Sequence, residues 1–498
     1  MTGKSTASGG SGSLRTGAFT AAALAIQTGL AAAVGVVLAR EFGRGAITDG
    51  FFAAYGMFVV VVLAASAIRV TVLPPFTRAR LDRRLGAEVT RFSTALALLA
   101  IPLLVVGVVF ARPLADVLTG HGSELARSTA TGALPWMLLA ATFQLFAGLA
   151  ASALAALDDY VTAAGGYALG SIVGLGVILW RVGPDGVQAI SWGMAINGAL
   201  ALGVLAVALA LRARREQMPA RAIRAATGSV VSRLGTMGTG VALPLALQLV
   251  YVICLPFAAH EGEGAVTSFG FAYLIAAAIV SVTASSLSLV TAVPLTRVGL
   301  DPVRTARHII SSSWIALVVI GAAAGVFGIA GGRIADSLLG STYSSGVGKE
   351  LGQLVLLFSL WGAASIGVAV AFPLIFVVGL GRTLPWIAGA IVLAHVPAAF
   401  GAGRLFGLSG LALSMAVTTT VVLAVLLSEL HALRTTMSSL VRASALVALL
   451  AALAFVPPAL LLPETAAALT GVLVYVALIA VVRPAGLRQA WVYLRDLR

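Results

Sequence analysis

Long uninterrupted apolar runs recur along the whole chain, and they constrain its fold more than any other feature. They lie near 16–39, 46–73, 92–111, 128–156, 160–180, 187–211, 229–258, 265–294, 308–330, 350–379, 384–400, 408–433, 441–462 and 465–482. A helix needs about 20 residues to cross a bilayer core. In lipid no water satisfies backbone N–H and C=O groups, so runs of this length are helices. Of the 498 residues, 60% are hydrophobic and only 10% are charged, whereas a soluble protein carries about 25% charge. The sequence predicts an all-α polytopic membrane protein with about fourteen transmembrane helices.

The net charge of +14 invites a nucleic-acid reading. The basic residues instead fall in short loops between apolar runs, the positive-inside pattern. With the N-terminus in the cytoplasm, twenty-three of the 32 Lys and Arg lie inside, eight outside, and one, Arg69, within a span. Arg78, Arg80, Arg83 and Arg84 form one inside group, and Arg212, Arg214, Arg215, Arg221, Arg224 and Arg233 another. This predicts a cell-membrane protein with both termini cytoplasmic, an even number of spans and no nucleic-acid partner. Cys254 is the sole cysteine, which excludes a disulfide framework and a cysteine-based metal site. Residues 1–15, rich in Gly, Ser and Thr, are expected to be a disordered tail. No Gly-x-x-x-x-Gly-Lys-Ser/Thr motif occurs, so the chain carries no ATPase and no cofactor is expected. An ion gradient or the membrane potential would drive any transport.

The chain also repeats itself. A shift of 219 residues overlays 46–82 on 265–301 without a gap, with 12 of 37 positions identical. The copies share an end that is not apolar: Pro75-Phe76-Thr77-Arg78-Ala79-Arg80-Leu81-Asp82 against Pro294-Leu295-Thr296-Arg297-Val298-Gly299-Leu300-Asp301. They are the second and eighth spans. A shift of six helices preserves orientation, which predicts two parallel six-helix lobes with a substrate site between them and rocking access. The boundaries read as an N-lobe over 16–215, a C-lobe over 216–435, and two further spans with a cytoplasmic end over 436–498.

The segment Ala39-Arg40-Glu41-Phe42-Gly43-Arg44-Gly45-Ala46-Ile47-Thr48-Asp49-Gly50-Phe51-Phe52-Ala53-Ala54 resembles the first periplasmic loop of the MurJ/MviN family, the lipid II flippases of the MOP exporter superfamily. Weaker similarity runs through Leu157-Asp158-Asp159-Tyr160, Arg382-Thr383-Leu384-Pro385 and Gly410-Leu411-Ala412-Leu413-Ser414. The resemblance implies fourteen helices, with the two lobes in a V around a cavity lined by arginines that hold a pyrophosphate-linked lipid. The matching positions here hold Thr28, Val34 and Val62 in the first lobe. The Arg and Glu positions of the eighth span hold Leu274 and Ala277, and Ala67-Ile68-Arg69-Val70 stands where the family has a charged Glu-Gly-x-Phe stretch. An anionic pyrophosphate needs cationic donors, so the cargo stays open: lipid II, or a related lipid-linked envelope precursor.

Arg69 is the candidate anion-binding residue, because a charge at membrane depth usually faces the bundle interior or water; the alternative is snorkelling to the headgroups. Gln27, Gln248 and Asn197, with Gln144 and His395, are polar residues within spans that line a cavity or bond between helices. Arg40 and Asp49 form a gate at the outer mouth, or Asp49 and Thr48 cap the second helix. Asp158 and Asp159 read as a solvated turn, and His308 as a headgroup-level residue. The glycines around Gly165-Gly166, Gly170, Gly174 and Gly176 are helix-packing positions.

The expectation is a monomeric flippase for a lipid-linked precursor, associating with envelope-synthesis proteins. The alternatives are another exporter of the superfamily and a non-transporting scaffold of an envelope-synthesis complex. A cation exporter would need a carboxylate in its cavity, and the spans contain almost none.

Overall fold

The computed structural model describes residues 29–496 except 121, 216–229, 282, 284–301, 341–342, 344–345 and 379. Gln27, the tail at 1–15 and the second copy of the repeated corner, Pro294–Asp301, therefore lie outside the described residues. Among the described residues the secondary structure is helical throughout, with no strand.

The helices are α1 (29–42), α2 (Ala46–Leu81), α3 (Leu85–Val109), α4 (Ala111–Leu118), α5 (Glu124–Ala156), α6 (Tyr160–Asp185), α7 (Gln188–Arg215), α8 (Val230–Ala259) and α9 (Ala265–Val280). They continue with α10 (Pro302–Leu339), α11 (Gly346–Val377), α12 (Leu384–Glu429), α13 (Leu433–Leu461), α14 (Glu464–Val482) and α15 (Ala485–Asp496). Every expected apolar segment is helical where it is described. Eleven of these helices are long and apolar enough to cross a membrane. Of the rest, α1 and α9 border residues outside the described set. α12 is two helices in one run: Gly407 breaks it with φ +57, between the two segments the sequence separates. A Cβ at Gly407 would stand 2.9 Å from the Glu261 carboxylate, so only glycine turns this corner.

Two helices give no signal of their own in the apolar pattern. α4 has eight residues, too few for its period to stand out, and buries Ala111, Ala115 and Leu118 against α5. α15 follows the last span, where only a cytoplasmic end was expected. It buries Ala490 in a cluster with Trp314, Ala443 and Val447.

The chain divides into two compact units. One comprises Met1–Phe42 with Gly50–Gln248, and the other Gly43–Asp49 with Leu249–Arg498. In the first unit α6 lies along α7, and α5 packs on α7 and α3. Its glycines explain the α6–α7 approach. A Cβ at Gly170 would meet the Asn197 carbonyl oxygen at 2.6 Å, and one at Gly174 the Gly193 carbonyl oxygen at 2.7 Å. Gly166, one turn earlier, faces Leu205 and Val204, whereas Gly165 and Gly176 face open space. Spacing of four, not glycine content, marks the packed face. In the second unit α10 packs on α11, α13 and α14, and a stack of aromatic rings joins α8, α9 and α11. Tyr251 and Tyr273 lie parallel with centroids 4.0 Å apart, and Phe358 and Trp361 abut them.

The outward faces are apolar. Leu98, Leu99, Ile101, Leu103, Val105 and Val106 along α3 are each more than half exposed. Water would oppose such a surface at about 25 cal/mol per Å², and lipid does not. The protein is a multi-pass membrane protein.

Candidate functional site

In the first unit a cavity of about 250 Å³ opens among α1, α2, α5, α6 and α7. Helical spacing builds its walls. Tyr55, Phe58 and Val62 follow one another at three and four residues on α2, and Ser171, Gly174 and Ile178 do so on α6. Gln144, Ser171 and Asn197 supply the polar lining. The Asn197 side-chain oxygen is buried with no hydrogen-bond partner among the described residues. That oxygen lies toward Gly170 on the packed α6–α7 face, so its amide sits at the cavity wall with one acceptor unused. Val34 and Val62 also line the cavity. These are two of the positions where the family resemblance calls for arginine, and the absence of cations there is thus a property of the cavity wall itself.

The α2 stripe continues past Val62. Arg69 follows seven residues later, two turns or about 10 Å along the same face. Across from it stands Tyr167, one turn before Ser171 on α6. The Arg69 guanidinium donates a hydrogen bond to the Tyr167 hydroxyl, and its carbon lies 4.7 Å from the ring centroid. Its Nε is buried with no partner, and no described carboxylate lies within ion-pair distance. Arg69 is therefore turned onto α6 and keeps donor capacity for an anion. In the sequence only its spacing of four and seven from Ser171 and Gly174 signals Tyr167.

In the second unit the segment Gly43–Asp49 meets the start of α9. Asp49, 8% exposed, accepts from the Gly264 N–H at 2.6 Å, the Thr267 N–H at 2.8 Å and the Thr267 hydroxyl at 2.6 Å. Glu263 accepts from the Ala46 N–H at 3.0 Å. Residue 46 pairs with 265 and residue 49 with 268 in the repeat. The start of α9 is thus capped by Asp49 of the first copy, and the start of α2 by Glu263, two residues ahead of the second copy. Capping of α2 by its own Thr48 and Asp49 does not occur: the Thr48 hydroxyl donates to the Gly43 carbonyl instead. Arg44 completes the cluster, donating to the Gly264 carbonyl and the Ser268 hydroxyl at 3.1 Å each, and pairing with Glu350 at 3.3 Å. Burial lifts the Tyr343 phenol well above its ordinary pKa, and it donates as a neutral group to the Gly43 carbonyl at 3.2 Å. Arg40 lies exposed near the end of α1.

The remaining candidates disperse. Gln248 is on α8 and outside the cavity lining. His395 is fully buried, with Cys254 at 3.4 Å and Thr418 at 2.8 Å on its two ring nitrogens, so it bonds between helices. His308, near the start of α10, is 2% exposed and so is covered by protein. The solvated-turn reading holds for Asp158 but not for Asp159. Asp159 is buried, caps α6 through the Thr162 N–H and pairs with Arg212 at 2.9 Å. Burial pushes its pKa up, but the Thr162 and Arg212 contacts outweigh that and hold it below the usual carboxylate range. Buried Glu88 pairs with half-buried Arg233 at 2.6 Å. Among the described residues no group of three His, Cys, Asp or Glu is placed to hold a metal ion.

No protein-family model matches the chain, and no curated protein matches it in sequence. Solved structures do match its fold. The lipid II flippase MurJ, in an inward closed conformation, superimposes with a TM-score of 0.70 at 15% identity, covering 96% of this chain and 99% of that one. An inward-facing multidrug resistance MATE family transporter of the MOP superfamily gives 0.56 at 15% identity over 84% of this chain and 95% of that one. A MOP superfamily transporter from Pyrococcus furiosus, described by the reverse polarity of its binding pocket, gives 0.54 at 17% identity over 87% and 95%. The chain has the fold of the MOP transporters.

Proposed function

We infer that the chain is a MOP-type flippase that carries a lipid-linked envelope precursor, lipid II or a related saccharide-lipid, from the inner to the outer leaflet by alternating access. One observation carries this reading. The first-unit cavity presents amide and hydroxyl groups from Gln144, Ser171 and Asn197, and the same helical stripe leads to Arg69, which has no carboxylate partner. Amides and hydroxyls suit sugar groups, and the guanidinium suits one phosphate of the linkage. The fold shared with MurJ supports the flippase class. A cation exporter fits less well, since no carboxylate is among the described residues of the cavity lining. Gln27 and Gln248 belong to the same reading as further contacts along the path. Asp49, with Arg44 and Arg40, acts as the outer gate. The protein works as a monomer in the cell membrane with both termini in the cytoplasm, alongside envelope-synthesis proteins. Without an ATPase motif, an ion gradient or the membrane potential is the energy source, the latter worth about 2.3 kcal/mol per charge per 100 mV.

Depletion of the protein tests the reading. Lipid-linked precursor should accumulate on the cytoplasmic leaflet, and purified protein in vesicles should restore its movement. A single-phosphate saccharide-lipid moving faster than a diphosphate one would follow from the valines at positions 34 and 62. Those valines also favour a second reading, a non-transporting scaffold. Vesicles in which no lipid-linked substrate moves, together with co-purifying synthases, would select it.

A further inference from the structure

A second cavity, of about 410 Å³, lies in the second unit where α12 ends and α10 and α13 begin. Its polar lining comes from Arg307 and Ser311 of α10, His431 of the α12–α13 corner, Thr435 of α13 and Gln489 of α15, with no carboxylate among the described lining residues. The corner decides what the cavity offers. His431 adopts φ +53, and its N–H donates to the Ser428 carbonyl while the Ala432 N–H donates to the Leu427 carbonyl, each at 2.9 Å. These bonds use up the terminal carbonyls of α12. They also leave Ala432 as the N-cap of α13, and alanine has no side-chain acceptor. The first bond inside α13 runs from the Thr436 N–H to the Ala432 carbonyl. The N–H groups of Leu433, Arg434 and Thr435 come before it, with no side-chain cap.

The positive end of a 29-residue helix thus meets the cavity uncapped. Two further observations point to an anion. Arg307 has no ion-pair partner among the described residues. Ser311 is 4% exposed, lines the cavity, and its hydroxyl has no partner among the described residues. Donors from three elements converge with no acceptor carboxylate among them. The neighbouring α15 carries Arg488 and an exposed Trp491, the pattern of a helix lying at headgroup level.

We propose that this cavity is a phosphate site, filled by the headgroup of an anionic phospholipid of the adjoining leaflet. It is separate from the transport cavity and does not rest on any choice of cargo. Arg307 and the open N–H groups of α13 hold the phosphate oxygens, and Ser311, Thr435 and Gln489 complete the shell. The site would tie the α12–α13 corner and α15 to the membrane surface.

Native mass spectrometry of the full-length protein in detergent tests this, with phosphatidylglycerol, phosphatidylcholine and inorganic phosphate as probes. Phosphatidylglycerol should bind about tenfold more tightly than phosphatidylcholine, and Arg307→Gln should remove that preference. Ala432→Asp places a carboxylate cap on the same N–H groups. It should keep or raise the melting temperature while lowering phosphatidylglycerol affinity about tenfold. Arg442→Gln, on α13 but outside the lining, should change nothing. Phosphate bound as tightly as the lipid, and lost in the same two variants, supports the phosphate site but overturns its lipid source. Wild-type binding in both Arg307→Gln and Ala432→Asp, or no preference of the unaltered protein for either anionic probe, overturns the proposal.

Discussion

The Asp49 carboxylate accepts both the backbone N–H and the hydroxyl of Thr267, at 2.8 and 2.6 Å, across 218 residues of chain. Thr267 is the repeat counterpart of Thr48, and Asp49 directly follows Thr48. The capping interaction that one helix ordinarily makes within itself is here made between the two copies. Hydrogen bonds to a charged group are worth about 1.5–3 kcal/mol each. Asp49→Ala should therefore lower the melting temperature markedly. Thr267→Val, which keeps the N–H bond, should lower it less. A double-mutant cycle should return a coupling of about 1–3 kcal/mol, and additive single effects would refute the pairing.

Arg69 separates stability from function. A cation at membrane depth without a carboxylate costs about 2.5–3.5 kcal/mol on insertion scales, so Arg69→Gln should leave the protein at least as stable. Transport of an anionic lipid-linked saccharide into vesicles should fall about ten- to a hundredfold, the loss of one charge-assisted contact. Tyr167→Phe should reduce transport less, since the ring stays beneath the guanidinium.

The cavity wall predicts its own reversal. Val62→Arg restores a cation on the α2 stripe, two turns from Arg69. Transport should shift toward diphosphate-linked lipids relative to single-phosphate ones, measured side by side in the same vesicles. An unchanged ratio would mean that the cavity does not contact the linkage.

Asp159 gives a pH signature outside the spans. Its carboxyl titrates below the ordinary value in the folded protein. Its stabilising contribution is thus complete above the unfolded value of about 3.9 and disappears as pH falls through the lower folded value. The unaltered protein should melt higher than Asp159→Asn at pH 7, and the two curves should converge in strong acid.

The glycine faces give a paired control. Gly174→Ala drives a methyl onto the Gly193 carbonyl oxygen and should cost about 1–3 kcal/mol. Gly165→Ala faces open space and should be neutral or stabilising by up to about 1 kcal/mol.

The spans were legible because lipid permits few solutions for a long apolar run, and the break at Gly407 was legible as a gap between two such runs. The cavity was half legible. Gln144 and Asn197 stood out as polar residues in apolar helices, but nothing local distinguished them from Gln248 or His395, which the fold sends elsewhere. Tyr167 and Ser171 were missed because an aromatic residue and a serine are ordinary in a membrane helix. Asp159 reads as a solvated turn residue because the contact that covers it comes from Arg212, 53 residues away. The cross-caps were invisible for the same reason: Asp49 reads as a cap for its own helix until α9 is brought beside it.

The exchanged caps also bear on descent. A duplicated segment normally frees one copy to drift while the other keeps the original role. Here Asp49 serves the second copy's first turn, and Glu263, two residues ahead of that copy, serves the first copy's, so a change at either entry reaches the other.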